Sequence, residues 1–313
     1  MRNFRLFGAL ALCAAMVPAL TSCGDDDDDK GGDGTGGVLV IEGERISSIS
    51  GVQFDYDSKG RLTHLSDNSG GLTIDYSRGK IYLDGQEDGE NSYKVKFNGN
   101  GCITELHNSW SYTESEGGHK YQYKGSGTVT FSYNGSGYLV KCSSKSTETG
   151  KDLTSGVSGK YTESYTTNLT WRDGDLVNAV EKGTEIEGND KDTWRDETEI
   201  DYTSTVNKFR QLPMAVSSVL NDDTVWDMIA AAGLFGKGTK HFPSSLCETD
   251  EEGYSNTISC SYRLNSVGAI SSETISYNTY NYSYEEVSRG QEASGIVKLP
   301  DPRGFFMKRA SRK

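Results

Sequence analysis

The side chains of this 313-residue chain that suggest ligand chemistry are tryptophans in polar surroundings and a large number of carboxylates. Trp110 and Trp194 can each stack an indole ring on a sugar. Alternation along a strand places Trp110 on the same face as Leu106, and Trp194 on the same face as Ile200. This sharing of faces favours packing in or beside a core, with contact to a glycan ligand as the alternative for both tryptophans.

Recognisable catalytic motifs do not occur. The sequence contains no Gly-x-Ser-x-Gly, no His-Glu-x-x-His and no glycine-rich phosphate loop before Lys-Ser/Thr. His64 and His107 lie near repeated turns and are interpreted as solvated strand residues. Glycoside hydrolysis needs two carboxylates at a set distance across a cleft, and a sequence gives neither the distance nor the cleft. We predict no catalytic residue and no cofactor, so an enzyme is the less favoured class.

Two acidic loops, residues 84–90 and 187–192, have the composition of a calcium site. Neither fits the twelve-position loop that ends in a bidentate Glu. Hairpin tips favour Asp and Gly for their backbone conformation alone. We therefore predict no metal site.

Charge and hydropathy exclude two broad classes of protein. The chain has 32 Lys and Arg against 45 Asp and Glu, for a net charge of -13. A sequence-independent nucleic-acid binder needs a basic face instead. The mean hydropathy of -0.61 excludes a multi-span helical membrane protein, and 18 Tyr with 10 Phe are too many for a disordered acidic chain.

The N-terminus has the pattern of an export signal. Arg2 and Arg5 precede an apolar run that ends Leu20-Thr21-Ser22-Cys23 and resembles a bacterial lipobox. The resemblance implies a signal peptide of residues 1–22 and acylation of Cys23, which anchors the protein to a membrane. An ordinary secretory peptide that happens to contain Cys is the alternative.

Residues 23–37 are predicted to be a flexible tether. Five consecutive acids, Asp25 to Asp29, are followed by a glycine-rich stretch that cannot pack. The acidic run resembles the surface-export signal of Bacteroidota lipoproteins, which implies the cell surface of the outer membrane. A solvated spacer that faces the periplasm is the alternative.

Residues 38–299 are predicted to form a single all-β domain. Apolar and polar residues alternate at period two in many short segments, as in Val52-Gln53-Phe54. The clean alternations run four to seven residues, whereas a membrane-spanning strand needs about 9–11. We therefore expect an antiparallel β-meander curled into a soluble, tethered barrel or half-barrel.

A hairpin turn recurs along this domain, with an aromatic residue before it, Gly within it and an aliphatic residue after it. Gly supplies the positive φ that tight turns require, and the aromatic and aliphatic residues are expected to meet across the hairpin. The copies are Tyr56 to Leu62, Phe97 to Ile103, Tyr133 to Leu139, Trp171 to Leu176 and Tyr262 to Ile270.

One segment departs from the strand pattern. Val225, Met228, Ile229 and Ala232 recur at helical spacing, which predicts a short helix over about 222–235. A sheet that exposes its polar face to water must bury its apolar face against another element. We expect this helix to plug the hollow of the curled sheet, with its Trp226 inward.

Taken together, the lipobox, the acidic tether, the hairpin repeats and the late helix resemble a known family. The hairpins loosely resemble the YD repeats of large secreted toxins. The whole arrangement is more similar to a family of Bacteroidota surface lipoproteins whose domain is described as porin-like in fold and has no known function. The resemblance covers about residues 44–285 and implies a fold, with no catalytic residues to transfer.

Four cysteines remain after removal of the signal and lipidation of Cys23, and they allow three pairings: they are Cys102, Cys142, Cys247 and Cys260. Cys260 alternates with apolar neighbours and is expected to be a small buried hydrophobe. The basic tail, residues 300–313, is either a frayed terminus or a segment that docks on an anionic surface or partner.

The sequence therefore favours a non-enzymatic, cell-surface lipoprotein. Its expected partners are the membrane, through the lipid, and a glycan or an envelope protein. A glycan-processing enzyme that uses unmarked carboxylates and a purely structural envelope scaffold are the alternatives.

Overall fold

The computed structural model describes residues 44–68, 70–84, 92–116, 118–219 and 224–286. The predicted signal peptide, Cys23, the tether of residues 23–37 and the basic tail of residues 300–313 lie outside the described residues, as do the two ends of the predicted domain, 38–43 and 287–299.

Sixteen antiparallel strands form a closed barrel in which sequence neighbours pair all the way round, and β1 closes on β16. The all-β meander is confirmed, and the barrel is complete rather than half-formed. The strands are β1 Glu44–Ile49, β2 Val52–Tyr56, β3 Leu62–Asp67, β4 Gly70–Asp75, β5 Lys80–Leu83, β6 Tyr93–Phe97, β7 Ile103–Glu116, β8 His119–Tyr133, β9 Leu139–Asp152, β10 Ser158–Arg172, β11 Asp175–Glu187, β12 Asp190–Val206, β13 His241–Thr249, β14 Ser255–Leu264, β15 Ile270–Ile275 and β16 Asn278–Glu286.

Strands β7 to β12 are longer than the sequence pattern indicates. β12 has 17 residues, whereas β5 has four. The wall on this side of the barrel is therefore taller than the rest. Alternation of hydropathy stops part of the way along these strands because their inner positions change from apolar to polar, although the backbone pairing continues.

The turns of the predicted repeat all lie at one end of the barrel, which we call the plugged end. In each five-residue turn the first side chain accepts two backbone N–H groups: Asn134, for example, accepts those of Ser136 and Tyr138 (3.0 Å each). The fourth residue is a left-handed Gly, such as Gly137 with φ 83°. Equivalent turns begin at Asp57, Asn98 and Asn265 at this end, and one more begins at Asp250 at the opposite end, between β13 and β14.

Aromatic and aliphatic residues meet across these hairpins as predicted. Tyr133 is directly opposite Leu139, and Trp171 is opposite Leu176. Each ring also bonds to the preceding hairpin: the Tyr133 hydroxyl donates to the Ile103 carbonyl (2.7 Å), and the Trp171 indole N–H donates to the Leu139 carbonyl (2.7 Å). Successive repeats are thereby tied together. In the last copy, Leu264 rather than Tyr262 lies opposite Ile270.

Two short helices between β12 and β13 fill the plugged end, where a single helix was predicted. They are α1, Met214–Ser217, and α2, Thr224–Ala231. α2 ends before the predicted boundary, and Gly233 follows it in the left-handed conformation (φ 92°). Trp226 is buried inside the barrel, as expected, with its ring edge-on to Tyr93 at 5.6 Å. Among the described residues, no helix is long and apolar enough to cross a membrane.

Glu273 on β15 fixes α1 to the barrel wall. Its fully buried carboxylate accepts the backbone N–H groups of Met214 (3.0 Å) and Ala215 (2.9 Å). It also accepts the hydroxyls of Tyr262 (3.1 Å) and Tyr282 (2.9 Å). Burial raises the pKa of Glu273, while these four donors act in the opposite direction by stabilising its charged form.

The described cysteines Cys102, Cys142, Cys247 and Cys260 are thiols rather than disulfides. Cys260 packs against the core on the same face as Ile258 and Tyr262, as its alternation predicts. Cys247 lies opposite Glu199 on the outer face of the barrel.

Candidate binding surface on the inner wall

Above the plug, the inward-facing side chains of β7 to β12 form a polar and aromatic surface, which we call the inner wall. Its position follows from register, because Leu106, Val129 and Ser144 lie opposite one another and the first two belong to the core. The inner wall consists of Asn108, Trp110, Tyr112, Glu114, Tyr121, Tyr123, Ser146, Glu148, Tyr161, Glu163, Tyr165, Glu181, Glu185, Glu187, Asp190, Asp192, Trp194 and Asp196.

The basic residues of these strands lie on one face only. Every Lys and Arg along the described strands β8 to β12 occupies an outward position, whereas the inner wall carries carboxylates. The outward basic residues are Lys120, Lys124, Lys141, Lys145, Lys151, Lys160, Arg172, Lys182, Lys191 and Arg195. The inner wall therefore has a negative potential.

Trp110 lies on the inner wall, where it is 8% exposed. Its ring covers Gly125 on the adjacent strand so closely that a Cβ there would overlap it. The indole N–H donates to Oε2 of Glu148 (2.7 Å), and the Tyr112 hydroxyl reaches the same oxygen (3.4 Å). Tyr112 in turn stacks on Tyr123 with ring centroids 4.9 Å apart.

Trp194 repeats this arrangement on the other side of the inner wall and is half-buried. Its ring covers Gly183 on β11, which again leaves no room for a Cβ. The indole N–H donates to Oε1 of Glu181 (2.9 Å), and the Thr167 hydroxyl donates to Oε2 (3.0 Å). An indole over a cross-strand glycine, with its N–H on a carboxylate, thus occurs twice.

Both tryptophans face inward as their alternation predicts. Trp110 is packed almost completely, whereas Trp194 keeps part of its ring accessible. A glycan contact by either ring stays a prediction. The carboxylates that accept their indole N–H groups, Glu148 and Glu181, were not predicted from the sequence. Gly125 and Gly183 could have indicated these sites, because Gly within a strand marks a place where another group packs closely against the backbone.

Glu148 is an inner-wall carboxyl whose pKa lies near neutral pH. Burial raises its pKa from 4.5 to about 7, with a smaller increase from the charge of Glu114. The hydrogen bonds from Trp110 and Tyr112 act in the opposite direction and do not offset the burial.

This raised pKa predicts a pH-dependent stability. Between pH 4.5 and about 7 the native state holds a proton on Glu148 that the unfolded chain has lost, so stability falls as the pH rises through this window. We expect the melting temperature of wild type to fall more between about pH 5 and about pH 8 than that of Glu148→Gln. The exposed, outward Glu199→Gln is the control, and an equal fall in all three proteins would contradict the prediction.

Two buried polar atoms of the inner wall have no hydrogen-bond partner. They are Oδ1 of Asn108 and Oγ of Ser146, in side chains that are 5% and 0% exposed. Leaving such a group unpaired costs about 1–3 kcal/mol. Both atoms can accept a hydrogen bond, and both are buried from solvent.

The histidines are not gathered into a site. His64 is on the outer face, where Nδ1 meets Asp55 (3.2 Å) and Nε2 meets Asp84 (2.8 Å). It is less solvated than predicted, and the hydrogen bond with Asp55 is the main cause of its raised pKa. His107, also outward, bonds to Thr128 (2.9 Å).

The acidic loops give no metal centre in the described part of the chain. Residues 187–192 form the tip of the β11–β12 hairpin, and residues 85–90 lie outside the described residues. No group of three or more His, Cys, Asp or Glu side chains among the described residues is arranged to hold a metal ion.

Comparison with known proteins gives structural likeness only. No protein-family model and no curated protein matches the chain. A porin-like protein from Bacteroides vulgatus is similar at 14% identity and TM-score 0.46, covering 76% of this chain and 97% of its own. A porin-like protein from Bacteroides uniformis is similar at 15% identity and TM-score 0.25, covering 68% and 95%. Likeness at this level does not transfer a function.

Proposed function

We propose that this protein is a lipid-anchored binding module of the outer envelope, held by an acylated Cys23, and that its barrel stands in water rather than in lipid. The observation that carries the proposal is the polarity of both faces of β7 to β12. The lipobox-like residues before Cys23 support the anchor, and the plugged barrel offers an inner surface suited to a ligand.

The outer face of the tall wall is unsuited to lipid. A membrane barrel presents an apolar band about 25 Å tall, flanked by aromatic girdles. Here the outward positions of β9 alternate Lys141, Ser143, Lys145 and Thr147. Charged groups at the bilayer midplane cost about 2–4 kcal/mol each for Lys or Arg. Water therefore surrounds this wall.

The position of the first and last described strands supports an orientation on the membrane. Glu44 and Glu286 lie opposite each other at the plugged end, on the strands that close the barrel. A tether that enters at Glu44 would place the plug towards the anchor and the tips of β7 to β12 away from it. The inner wall would then be open to ligands outside the membrane, where a glycan or an envelope protein can reach it.

The anchor is tested by Cys23→Ala. Because acyl chains on this residue should provide the membrane attachment, we expect the variant to be released into the soluble fraction or to accumulate unprocessed. Fractionation of cells, followed by immunoblotting, makes the measurement. An Ala variant that stays with membranes as fully as wild type would show that the lipoprotein proposal is wrong.

Surface exposure is tested by replacing Asp25 to Asp29 with Ala. If the acidic run directs export, protease added to intact cells should digest wild type and spare the variant. Digestion of both proteins in lysed cells would show that the variant is not itself resistant to the protease. Equal digestion of both proteins on intact cells would leave the run as a spacer.

A glycan-processing enzyme is the second candidate, and the environment of Glu148 favours it. Burial raises the pKa of Glu148 to about 7, which is in the range that suits a general acid. A glycan array read beside a turnover assay separates binding from catalysis. Turnover that disappears in Glu148→Gln while binding persists would establish the enzyme.

A further inference from the structure

We infer that the upper part of the inner wall, on β10 to β12, binds a neutral, β-linked oligosaccharide by stacking its sugar rings on the side chains of Trp194 and Tyr161. This inference rests on the proposed binding function and specifies the class of its ligand. The stacking site, as we call it, consists of Trp194, Tyr161, Glu185 and Asp192.

The stacking site lies where the tall wall stands clear of its neighbours. β13 pairs with β12 only from Glu197 onwards, so Asp192 and Trp194 lie beyond its end. On the other side, β6 pairs with β7 no further along than His107. No described strand outside β7 to β12 has more than ten residues. The upper inner face of β10 to β12 therefore opens towards the mouth of the barrel, where a ligand can reach it.

The indole ring of Trp194 is held against this wall. It covers Gly183 on the adjacent strand β11 so closely that a Cβ there would overlap it. The hydrogen bond from the indole N–H to Glu181 (2.9 Å) fixes the ring in this position. The side chain is only half-buried, so its accessible surface is the side turned away from the sheet. A ring fixed in this way is a preformed platform, which loses little conformational entropy when a ligand binds.

Tyr161 approaches the same strand from the other side. It is a half-buried inward residue of β10, and its hydroxyl donates a hydrogen bond to Glu185 of β11. Glu185 is two positions along β11 from Gly183, the residue that Trp194 covers. Two positions in a strand are about 7 Å apart. A ligand that stacks on both aromatic side chains must therefore carry more than one ring.

The inner surface beside Tyr161 is free of side chains. Gly159, two residues before Tyr161, faces inward opposite Gly150. A Cβ added at Gly159 would have no described atom within 4 Å, whereas one at Gly150 would meet the ring of Tyr123 at 2.9 Å. A sugar that lies on Tyr161 thus meets bare backbone on the side of Gly159.

The stacking site has the chemistry that a sugar requires. A pyranose has an apolar C–H face, which packs on an aromatic ring, and hydroxyl groups around its edge, which donate hydrogen bonds. Glu185 and Asp192 lie directly opposite each other between the two aromatic side chains, and Asp192 is exposed. A carboxylate has about four acceptor positions, so Glu185 can accept sugar hydroxyls as well as the hydroxyl of Tyr161.

The charge of the wall selects a neutral glycan over an acidic one. No Lys or Arg of the described strands β8 to β12 faces inward. An acidic sugar on Trp194 would lie beside the carboxylates of Glu185 and Asp192, and like charges placed together exclude a partner. The hydroxyls of a neutral sugar instead complement these acceptors.

Calorimetric titration of the purified protein tests the inference. The probes are cello-, manno- and xylo-oligosaccharides of equal length, with oligomannuronate as the acidic counterpart of the mannose form. We expect at least one neutral probe to bind and oligomannuronate not to bind. Trp194→Ala and Tyr161→Ala should each weaken binding by roughly tenfold or more. Tyr161→Phe keeps the ring and should weaken it much less, and Tyr277→Ala, which removes a 98% exposed ring between β15 and β16, should leave binding unchanged.

Three results would overturn the inference: no neutral probe binds, either alanine variant of the stacking site binds as tightly as wild type, or oligomannuronate binds as tightly as the mannose form. In the last two cases a glycan is still bound, so the proposed binding function survives. In the first case an envelope protein is left as the ligand of that function, and anchoring is tested separately at Cys23. The melting temperature of each variant verifies that lost binding does not reflect a lost fold.

Discussion

Replacement of Glu273 by alanine is expected to lower the free energy of unfolding by about 3–5 kcal/mol, because it leaves four buried donors without an acceptor. Two of these are the first N–H groups of α1, and the others are the hydroxyls of Tyr262 and Tyr282. Each unpaired buried donor costs about 1–3 kcal/mol. The alanine variant no longer buries a carboxylate, and the free energy saved in this way offsets part of the summed cost of the four unpaired donors.

Glu273→Gln separates the charge of this residue from its size. The amide keeps one acceptor oxygen but turns an NH2 group towards donors, so we expect a loss smaller than that of the alanine variant. Chemical denaturation gives the free energies, and amide exchange at Met214 and Ala215 reports whether α1 detaches. Glu199→Ala, at an exposed outward position, should change stability by less than about 0.5 kcal/mol. If Glu273→Ala were no more damaging than this control, the plug would be held by other contacts.

The features that the sequence predicted well are local. An Asn or Asp that accepts backbone N–H groups two and four residues later, with Gly at the fourth position, is contained within five residues. The turn at Asn134 was therefore readable without any knowledge of the rest of the barrel. The same holds for α2, whose apolar residues recur at helical spacing around Trp226.

The features that the sequence did not reveal depend on distant residues. Nothing near Glu273 indicates that Met214 and Ala215, almost sixty positions away in sequence, supply two of its donors. α1 has only four residues and hence no helical period to detect. Closure of the barrel depends on pairing between β1 and β16, the first and last described strands.

The inner wall was missed because the usual signal disappears there. Strand prediction relies on an apolar face, and from Ser144 to Glu148 the inner positions of β9 are as polar as the outer ones. The positions of the basic residues still indicated a strand, because Lys141, Lys145 and Lys151 all lie on one face of β9. Sorting residues by the sign of their charge would have extended this strand to its observed length.

Truncation of Trp226 is expected to destabilise the protein by about 3–5 kcal/mol, the range for a buried Trp or Phe changed to Ala. The side chain is 6% exposed, and its ring is 5.6 Å from that of Tyr93 and 6.3 Å from that of Phe235. Its removal would leave a cavity between the plug and the barrel wall. Helix α2 would then lose a main contact with β6, and the melting temperature should drop substantially.

Trp194→Ala is the matched comparison, because it removes the same side chain from a half-buried position on the inner wall. That change uncovers Gly183 and deprives Glu181 of one of its donors, which should cost about 1–2 kcal/mol. Both variants lose the same side chain. A difference between their free energies of unfolding, measured by thermal and denaturant unfolding, therefore reports the effect of its location alone. A Trp226→Ala protein that is as stable as wild type would show that α2 is a peripheral element. If both variants lost the same free energy of unfolding, an indole buried against the plug would stabilise the protein no more than one on the inner wall.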